Sequence, residues 1–303
     1  MTDHVRTVVF PVAGHGTDFL PATKASPKVM LPVLDKPLIQ YAVEEAVASG
    51  AENLIFVTGR TSRAVADHFD RAKELEQRLQ QAEKQDLLNA TRGTTPAHVR
   101  CLFVRQPRPL GLGHAVLCAR AAIGGEPFAV VLADELIAAS NGRPALSQLM
   151  DAFSWNHASV IGVQRVPDDR TSLYGIVGVR AGDGRLHNVD AIVEKPDPSR
   201  APSRLGVIGR YVFTPAILDA LEGMPPDADG QIQLTDAIAR LLTSEGVYAY
   251  EYVGERFDCG TRLGYLQATL AYALRRPDLR RETRAYLRQL LASGRLDSPS
   301  DGA

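Results

Sequence analysis

The first residues that could do chemistry are Ala13-Gly14-His15-Gly16-Thr17, which follow the apolar run Val8 to Val12. Glycines where a buried strand leaves the carboxyl edge of a parallel sheet let main-chain N–H groups approach a phosphate or a base with no intervening Cβ. The loop is not a dinucleotide fingerprint, because Leu20 holds the place of the third glycine in G-x-G-x-x-G, and it lacks the Gly-Lys-Ser/Thr ending of a Walker loop. Alone it reads equally well as a tight turn. The continuation is more informative: Pro21, Pro27 and Pro32 stiffen a segment that is neither helix nor strand, and Lys24 and Lys28 lie within it. A rigid, cationic, irregular segment beside a sheet edge suits a polyphosphate. The plainer alternative, lysines solvated at the surface, stays open on these residues alone.

Positioning such residues takes a sheet, and the chain supplies its signals. Asn53 to Thr58 is apolar without alternation, as is Val8 to Val12, and Pro37 to Ser49 between them has apolar residues at helical spacing with Gly50 beyond its end. Continuous apolar strands separated by helices indicate a parallel sheet covered on both faces. The pattern continues with a charged helical stretch from about Ala72 to Thr91, a strand Arg100 to Arg105, a helix Gly113 to Ala122, a strand Phe128 to Leu132 and a helix Pro144 to Asn156. After the strand Ser159 to Arg165 the character becomes more antiparallel. Strands at Ile176–Arg180, Asn188–Val193 and Leu205–Phe213 are joined by short turns such as Ala181-Gly-Asp-Gly184. The tail from Gly260 to Gly294 reads as helical, with Ser298 to Ala303 frayed. The expectation is one continuous α/β unit with a β-rich insertion and a helical C-terminal arm.

Composition narrows the classes. In 303 residues, 45% hydrophobic and 23% charged, a sizeable core is expected. A formal net charge of -1 gives no bulk reason to expect nucleic acid or an anionic membrane surface as partner, so an anionic ligand must be held by a few placed cations and amides. The three cysteines, Cys101, Cys118 and Cys259, show no CxxC or His-rich spacing, which argues against a disulfide framework and a zinc site and fits a reducing compartment. No apolar stretch reaches membrane-spanning length or resembles a secretory leader, so the cytoplasm is expected.

From Pro11 to Tyr41 the chain resembles the N-terminal signature of the bacterial UTP–glucose-1-phosphate uridylyltransferases, also called UDP-glucose pyrophosphorylases. Val12-Ala-Gly-His-Gly-Thr, Leu20-Pro-Ala-Thr-Lys24, Pro27-Lys28, Met30-Leu-Pro32 and Asp35-Lys-Pro-Leu-Ile-Gln-Tyr41 carry the match. Further motifs follow in the family's order to about residue 275. They are Gly111-Leu-Gly-His-Ala115, Leu132-Ala-Asp134, Tyr174-Gly-Ile-Val177, Val193-Glu-Lys-Pro196, Ile208-Gly-Arg-Tyr211, Ile232-Gln-Leu-Thr-Asp-Ala237 and Phe257-Asp-Cys-Gly260. The resemblance implies an α/β, Rossmann-like nucleotidyltransferase fold with a mixed, mainly parallel central sheet. Residues 1–275 would form the nucleotidyltransferase domain and residues 276–303 a helical arm and tail. It also implies a Mg²⁺-dependent reaction in which glucose 1-phosphate attacks the α-phosphorus of UTP to give UDP-glucose and pyrophosphate. A homo-oligomer is expected from the family.

The resemblance further implies roles for single residues. Ala13, Gly14, Gly16, Lys28, Gln106 and Gly113 would hold the nucleotide, with the Gln106 amide reading the uracil edges. Asp134 would be the main Mg²⁺ ligand and Asp258 a second or a nearby support. Glu194 would meet sugar hydroxyls and Lys195 the sugar phosphate, with Tyr174, Gly175 and Gly209 completing that pocket. Lys28, Lys195 and Asp134 are thus the expected catalytic residues. Read without the family, Gln106 is a loop glutamine, Asp134 and Asp258 are turn or cap residues, and Glu194-Lys195 is a strand-edge ion pair. Thr235 and Asp236 read as caps of a helix from Ala237 to Leu242.

The chain also departs from the family pattern. Asp18 stands where the family has an arginine that braces the triphosphate, and Val29 and Gln231 each replace a glutamate. Family members include weakly active paralogues that vary in the glycine loop and are proposed to modulate the active enzyme. A second reading therefore stands beside the first: a feeble regulatory subunit that binds nucleotide or forms a hetero-oligomer with an active sister chain.

Overall fold

Strands that are apolar at every position need cover on both faces, and the rest of the chain provides it. The computed structural model describes residues 4–14, 16–60 and 62–293, with the main chain alone at 181 and 183. His15 of the glycine loop and the tail from Ser298 to Ala303 lie outside the described residues.

In chain order, β1 (Thr7–Val12) leads through the proline-rich segment to a small hairpin, β2 (Pro32–Val33) and β3 (Lys36–Pro37), and then to α1 (Leu38–Ala48). β4 (Asn53–Thr58), α2 (Arg63–Phe69), α3 (Lys73–Gln81), α4 (Gln85–Arg92) and β5 (Arg100–Arg105) follow. Next come α5 (Gly111–Cys118), α6 (Arg120–Ile123), β6 (Phe128–Val131), β7 (Glu135–Ala138) and α7 (Ala145–Asn156). The second half holds β8 (Ser159–Arg165), β9 (Gly175–Asp183), β10 (Leu186–Glu194), β11 (Leu205–Phe213), α8 (Ala216–Leu221) and α9 (Leu234–Leu241). β12 (Val247–Glu251), β13 (Glu255–Asp258), α10 (Arg262–Arg275) and α11 (Pro277–Ala292) complete it.

Among the described residues, nine strands form one mixed sheet in the order β5-β4-β1-β6-β11-β8-β12-β10-β9. Pairing is parallel from β5 through β6 and between β8 and β12. It is antiparallel where β11 meets β6, β8 and β9 and where β10 meets β12 and β9. Alternation along β1 sends Val8, Phe10 and Val12 to one face, under α1 and α7, and Val9 to the other, under α5, α8 and α9. Outside this sheet, β7 and β13 pair antiparallel and pack with Val33, Leu38 and Ala268 in a small core of their own.

Several boundaries differ from the sequence expectations. The charged stretch from Ala72 splits into α3 and α4, because Glu83 takes a left-handed φ of 55° between them. The helix expected from Gly113 begins at Gly111 and is interrupted at Ala119. The helical tail breaks at Arg276, which is extended at ψ 125° because Pro277 disfavours a helical residue before it. Thr235 and Asp236 do not cap α9. They lie in its first turn, and Gln233 holds the N-cap position.

Candidate active site

β5, β4, β1 and β6 run parallel, so their carboxyl ends share one edge of the sheet. Ala13 and Gly14 leave β1 there and Gln106 leaves β5. With Gly111, Leu112 and Asp134 they line a cavity of about 400 Å³. Gln106 is 8% exposed, and its Nε2 donates to the Gly111 carbonyl at 3.1 Å and to His114 Nδ1 at 3.0 Å. Gly113 sits behind this wall rather than in it. Its N–H donates to the Ile232 carbonyl at 2.9 Å, and a Cβ there would come within 2.7 Å of that oxygen. The glycine at 113 is therefore required for close packing of α5 on the Ile232 loop, while Gly111 and Leu112 face the cavity. Gly16 packs on the Cβ of Lys28, away from the cavity lining.

The charged corner of the site comes from three separate segments. Asp134 lies in the turn between β6 and β7, and Lys28 Nζ reaches its Oδ2 at 2.6 Å. Asp258 is paired with Glu135 in the β13–β7 ladder, which sets it beside Asp134. Its Oδ1 accepts from the Gly260 N–H at 3.0 Å. A Cβ on Gly260 would stand 2.8 Å from Asp258 Oδ1, 3.6 Å from Asp134 Oδ2 and 3.7 Å from Lys28 Nζ, so the three charges surround a space that a methyl group would fill. Burial works against the charge on Lys28, but Asp134, with smaller help from Asp18 and Asp258, overcomes it and holds the ammonium above the ordinary lysine range. Among the described residues no group of three or more His, Cys, Asp or Glu side chains converges. Two carboxylates suit a hard divalent cation that draws its remaining ligands from phosphate and water.

The turn that carries Asp134 is held from beneath by Arg210, which is fully buried. Its guanidinium donates to the carbonyls of Leu132 at 3.0 Å and Glu135 at 2.8 Å, and it meets Glu45 Oε2 of α1 at 2.7 Å. Glu45 Oε1 also accepts from the Leu146 N–H, in the unsatisfied first turn of α7. Replacing Arg210 by methionine strands the Glu45 carboxylate and frees the turn. The expected loss is about 3 kcal/mol of stability in urea unfolding, with activity falling at temperatures where the protein is still folded. Wild-type stability in Arg210→Met would contradict this role.

A second cavity of about 370 Å³ adjoins the first, and Leu112, Leu132 and Asp134 belong to the walls of both. Tyr174, Gly175, Glu194, Lys195 and Gly209, the residues expected at the sugar, all line it. The β9–β10 ladder pairs Gly175 with Glu194. Lys195 then turns with a φ of 42°, and its N–H donates to the Tyr174 carbonyl at 3.0 Å. Gly209 lies within an irregularity in the β11–β8 register and accepts from the Leu132 N–H at 2.8 Å, tying this pocket to the Asp134 turn.

A nucleotidyl transferase family model matches residues 9–274. The UTP–glucose-1-phosphate uridylyltransferase of Bacillus subtilis (strain 168) is 47% identical over 288 residues, 95% of this chain and 97% of that protein. The chain belongs to the uridylyltransferases of this nucleotidyl transferase family. Among solved structures, the UTP-bound UGPase from Acinetobacter baumannii superposes with a TM-score of 0.89 at 44% identity, covering 95% of this chain and all of that one. A UDP-glucose pyrophosphorylase complexed with UDP-glucose gives 0.83 at 38% identity, covering 90% of this chain and all of that one.

Against the family pattern, the departures fall at particular places. Asp18 is exposed, its field reaches Lys28, and its carbonyl accepts from Arg262 Nε at 3.0 Å. Val29 is buried in the core under α1. Gln231 lines the first cavity beside Gly111. The structure also places in the wall of the second cavity a residue that sequence reasoning passed over. Arg256 grips both oxygens of Glu135, donates to the Tyr174 hydroxyl at 3.0 Å and lies 3.8 Å from Asp258 Oδ2. Its signal was its place two residues before Asp258 in a strand, which puts both side chains on one face.

Proposed function

We propose that the chain transfers UMP from UTP to glucose 1-phosphate, with Mg²⁺, releasing UDP-glucose and pyrophosphate. A phosphate oxygen of glucose 1-phosphate forms the new bond to the α-phosphorus of UTP, and the bond from that phosphorus to the bridging oxygen of pyrophosphate breaks. The nucleophile is already an anion, so no general base is needed, and rate comes from alignment and charge neutralisation. Asp134 and Asp258 would hold Mg²⁺, and the chemistry it would supply there is neutralisation of phosphate charge. The chain's own groups do the rest. Ala13, Gly14 and Gln106 seat the base, Lys28 moves from Asp134 onto the phosphates, Glu194 accepts from sugar hydroxyls, and Lys195 meets the sugar phosphate.

The observation that carries this reading is the wall shared by the two cavities, at Asp134. Two substrates filling them would meet beside Lys28 and Asp258. The exposure of Asp18 and the Arg262 guanidinium beside it favour an active enzyme over a purely regulatory subunit. A homo-oligomer is part of the proposal, supported by α11, which buries none of its residues and exposes Tyr286 and Leu291. So is a cytoplasmic place, supported by the absence, among the described residues, of a helix long and apolar enough to cross a membrane.

A coupled pyrophosphate-release assay with UTP, glucose 1-phosphate and Mg²⁺ tests the reaction, with UDP-glucose expected in equal amount. In the same assay Lys195→Ala should raise KM for glucose 1-phosphate about 10-fold or more, the scale of one charge-assisted contact, and leave KM for UTP within about 2-fold. Equal losses for both substrates would remove Lys195 from the sugar-phosphate site.

A further inference from the structure

The amide of Gln106 has two N–H donors on one end and an acceptor on the other, and which end faces a ligand decides what it can read. Here both donors are engaged by the protein. Nε2 points to the Gly111 carbonyl at 3.1 Å and to His114 Nδ1 at 3.0 Å, both on α5. Oε1 is the end left for the cavity that Gln106 shares with Ala13 and Gly14. An acceptor there pairs with the imide N–H of uracil or thymine. It repels cytosine, whose corresponding ring nitrogen carries a lone pair.

The amide keeps this orientation only while His114 Nδ1 offers a lone pair, which requires a neutral ring with its proton on Nε2. Cys118 Sγ lies 3.8 Å from both ring nitrogens and so does not choose between the tautomers; the Gln106 N–H directed at Nδ1 does. Burial, with a smaller contribution from the nearby Arg108 charge, lowers the His114 pKa and keeps the ring uncharged near neutrality. His114 is half-buried and does not line the cavity, so it acts on the base only through Gln106.

We propose that His114 is a positioning residue for base discrimination: it locks the Gln106 carboxamide with its acceptor toward the base, so that the site takes imide pyrimidines and rejects cytosine. The inference rests on the uridylyltransferase reading for its substrate but can be tested without turnover.

The test compares wild type with His114→Leu, which removes the acceptor, and His114→Asn, whose Oδ1 can replace Nδ1. The UTP:CTP ratio of kcat/KM should fall roughly 10- to 100-fold in His114→Leu, by the scale of one freed polar contact at a specificity site, and recover most of the way in His114→Asn. KM for glucose 1-phosphate should stay unchanged in both. Calorimetry with UMP and CMP reads the same preference as a ratio of affinities and needs no chemistry. A wild type that binds UMP over CMP but releases no pyrophosphate would refute the reaction and leave this inference standing. Should His114→Leu fail to fold, His114→Lys, which offers donors only, must narrow the UMP:CMP ratio in the same direction. An unchanged ratio in a folded variant, or His114→Asn behaving like His114→Leu, overturns the proposal.

Discussion

Asp134→Ala is expected to lower kcat/KM by about 10³-fold or more, on the scale of losing a principal charge stabiliser in phosphoryl transfer, while leaving the protein folded. Its side chain is partly exposed, and among the described residues its ion pair is with Lys28 alone, so little of the core depends on it. The turn itself is held through main-chain carbonyls by Arg210, which the substitution does not touch. The second readout is sharper. In wild type, UTP affinity should increase with Mg²⁺, whereas in Asp134→Ala that increment should vanish. The Mg²⁺-free affinity should hold or improve, because Lys28 is no longer engaged by a carboxylate. A Mg²⁺ dependence unchanged from wild type would remove Asp134 as the metal ligand.

The other large effect is a gain. Asp18→Arg should raise kcat/KM for UTP by about 10²-fold, because it removes a repulsion and adds an attraction. One charge pair at ~4 Å and an effective dielectric of about 20 is worth roughly 4 kcal/mol, and the substitution spans two charge units. Asp18 is exposed, so solvent and salt reduce that figure, which is why the expected gain is smaller than the bare sum. Asp18→Ala separates the two parts: it removes the repulsion alone and should recover about 10-fold. Both gains should shrink as ionic strength rises. No gain from either variant would remove Asp18 as a limit on turnover.

The parts of this molecule that were legible from sequence are those governed by local pattern. The unbroken apolar runs at Val8–Val12 and Leu54–Val57 require a sheet covered on both faces, and β1 and β4 are adjacent interior strands of it. The motifs at Asp134, Glu194-Lys195 and Asp258 named residues that the fold brings to one pair of adjoining cavities. What stayed hidden depends on partners distant in the chain. The β7 and β13 strands are too short to show a period, yet their pairing sets Asp258 beside Asp134 and Arg256 against Glu135. Arg210 sits in a recognised motif, but its purpose appears only when Glu45 of α1 is opposite it. The resemblance puts Gly113 at the nucleotide, and the structure adds a packing constraint there, the Ile232 carbonyl, which no local reading supplies. Glu83 breaks the charged helix by a backbone conformation that helix propensity does not anticipate.

In the proposed complex Lys28, Asp134 and Asp258 surround the α-phosphate of a UTP whose base rests against Gln106. Crystals grown with UTP and Mn²⁺ in place of Mg²⁺, measured at the manganese absorption edge, address it directly. The expected result is an anomalous peak at the Asp134 and Asp258 carboxylates beside the α-phosphate, with Lys28 Nζ moved from Asp134 to phosphate oxygen. A nucleotide bound with its phosphates away from these residues, or manganese held by neither aspartate, would contradict it.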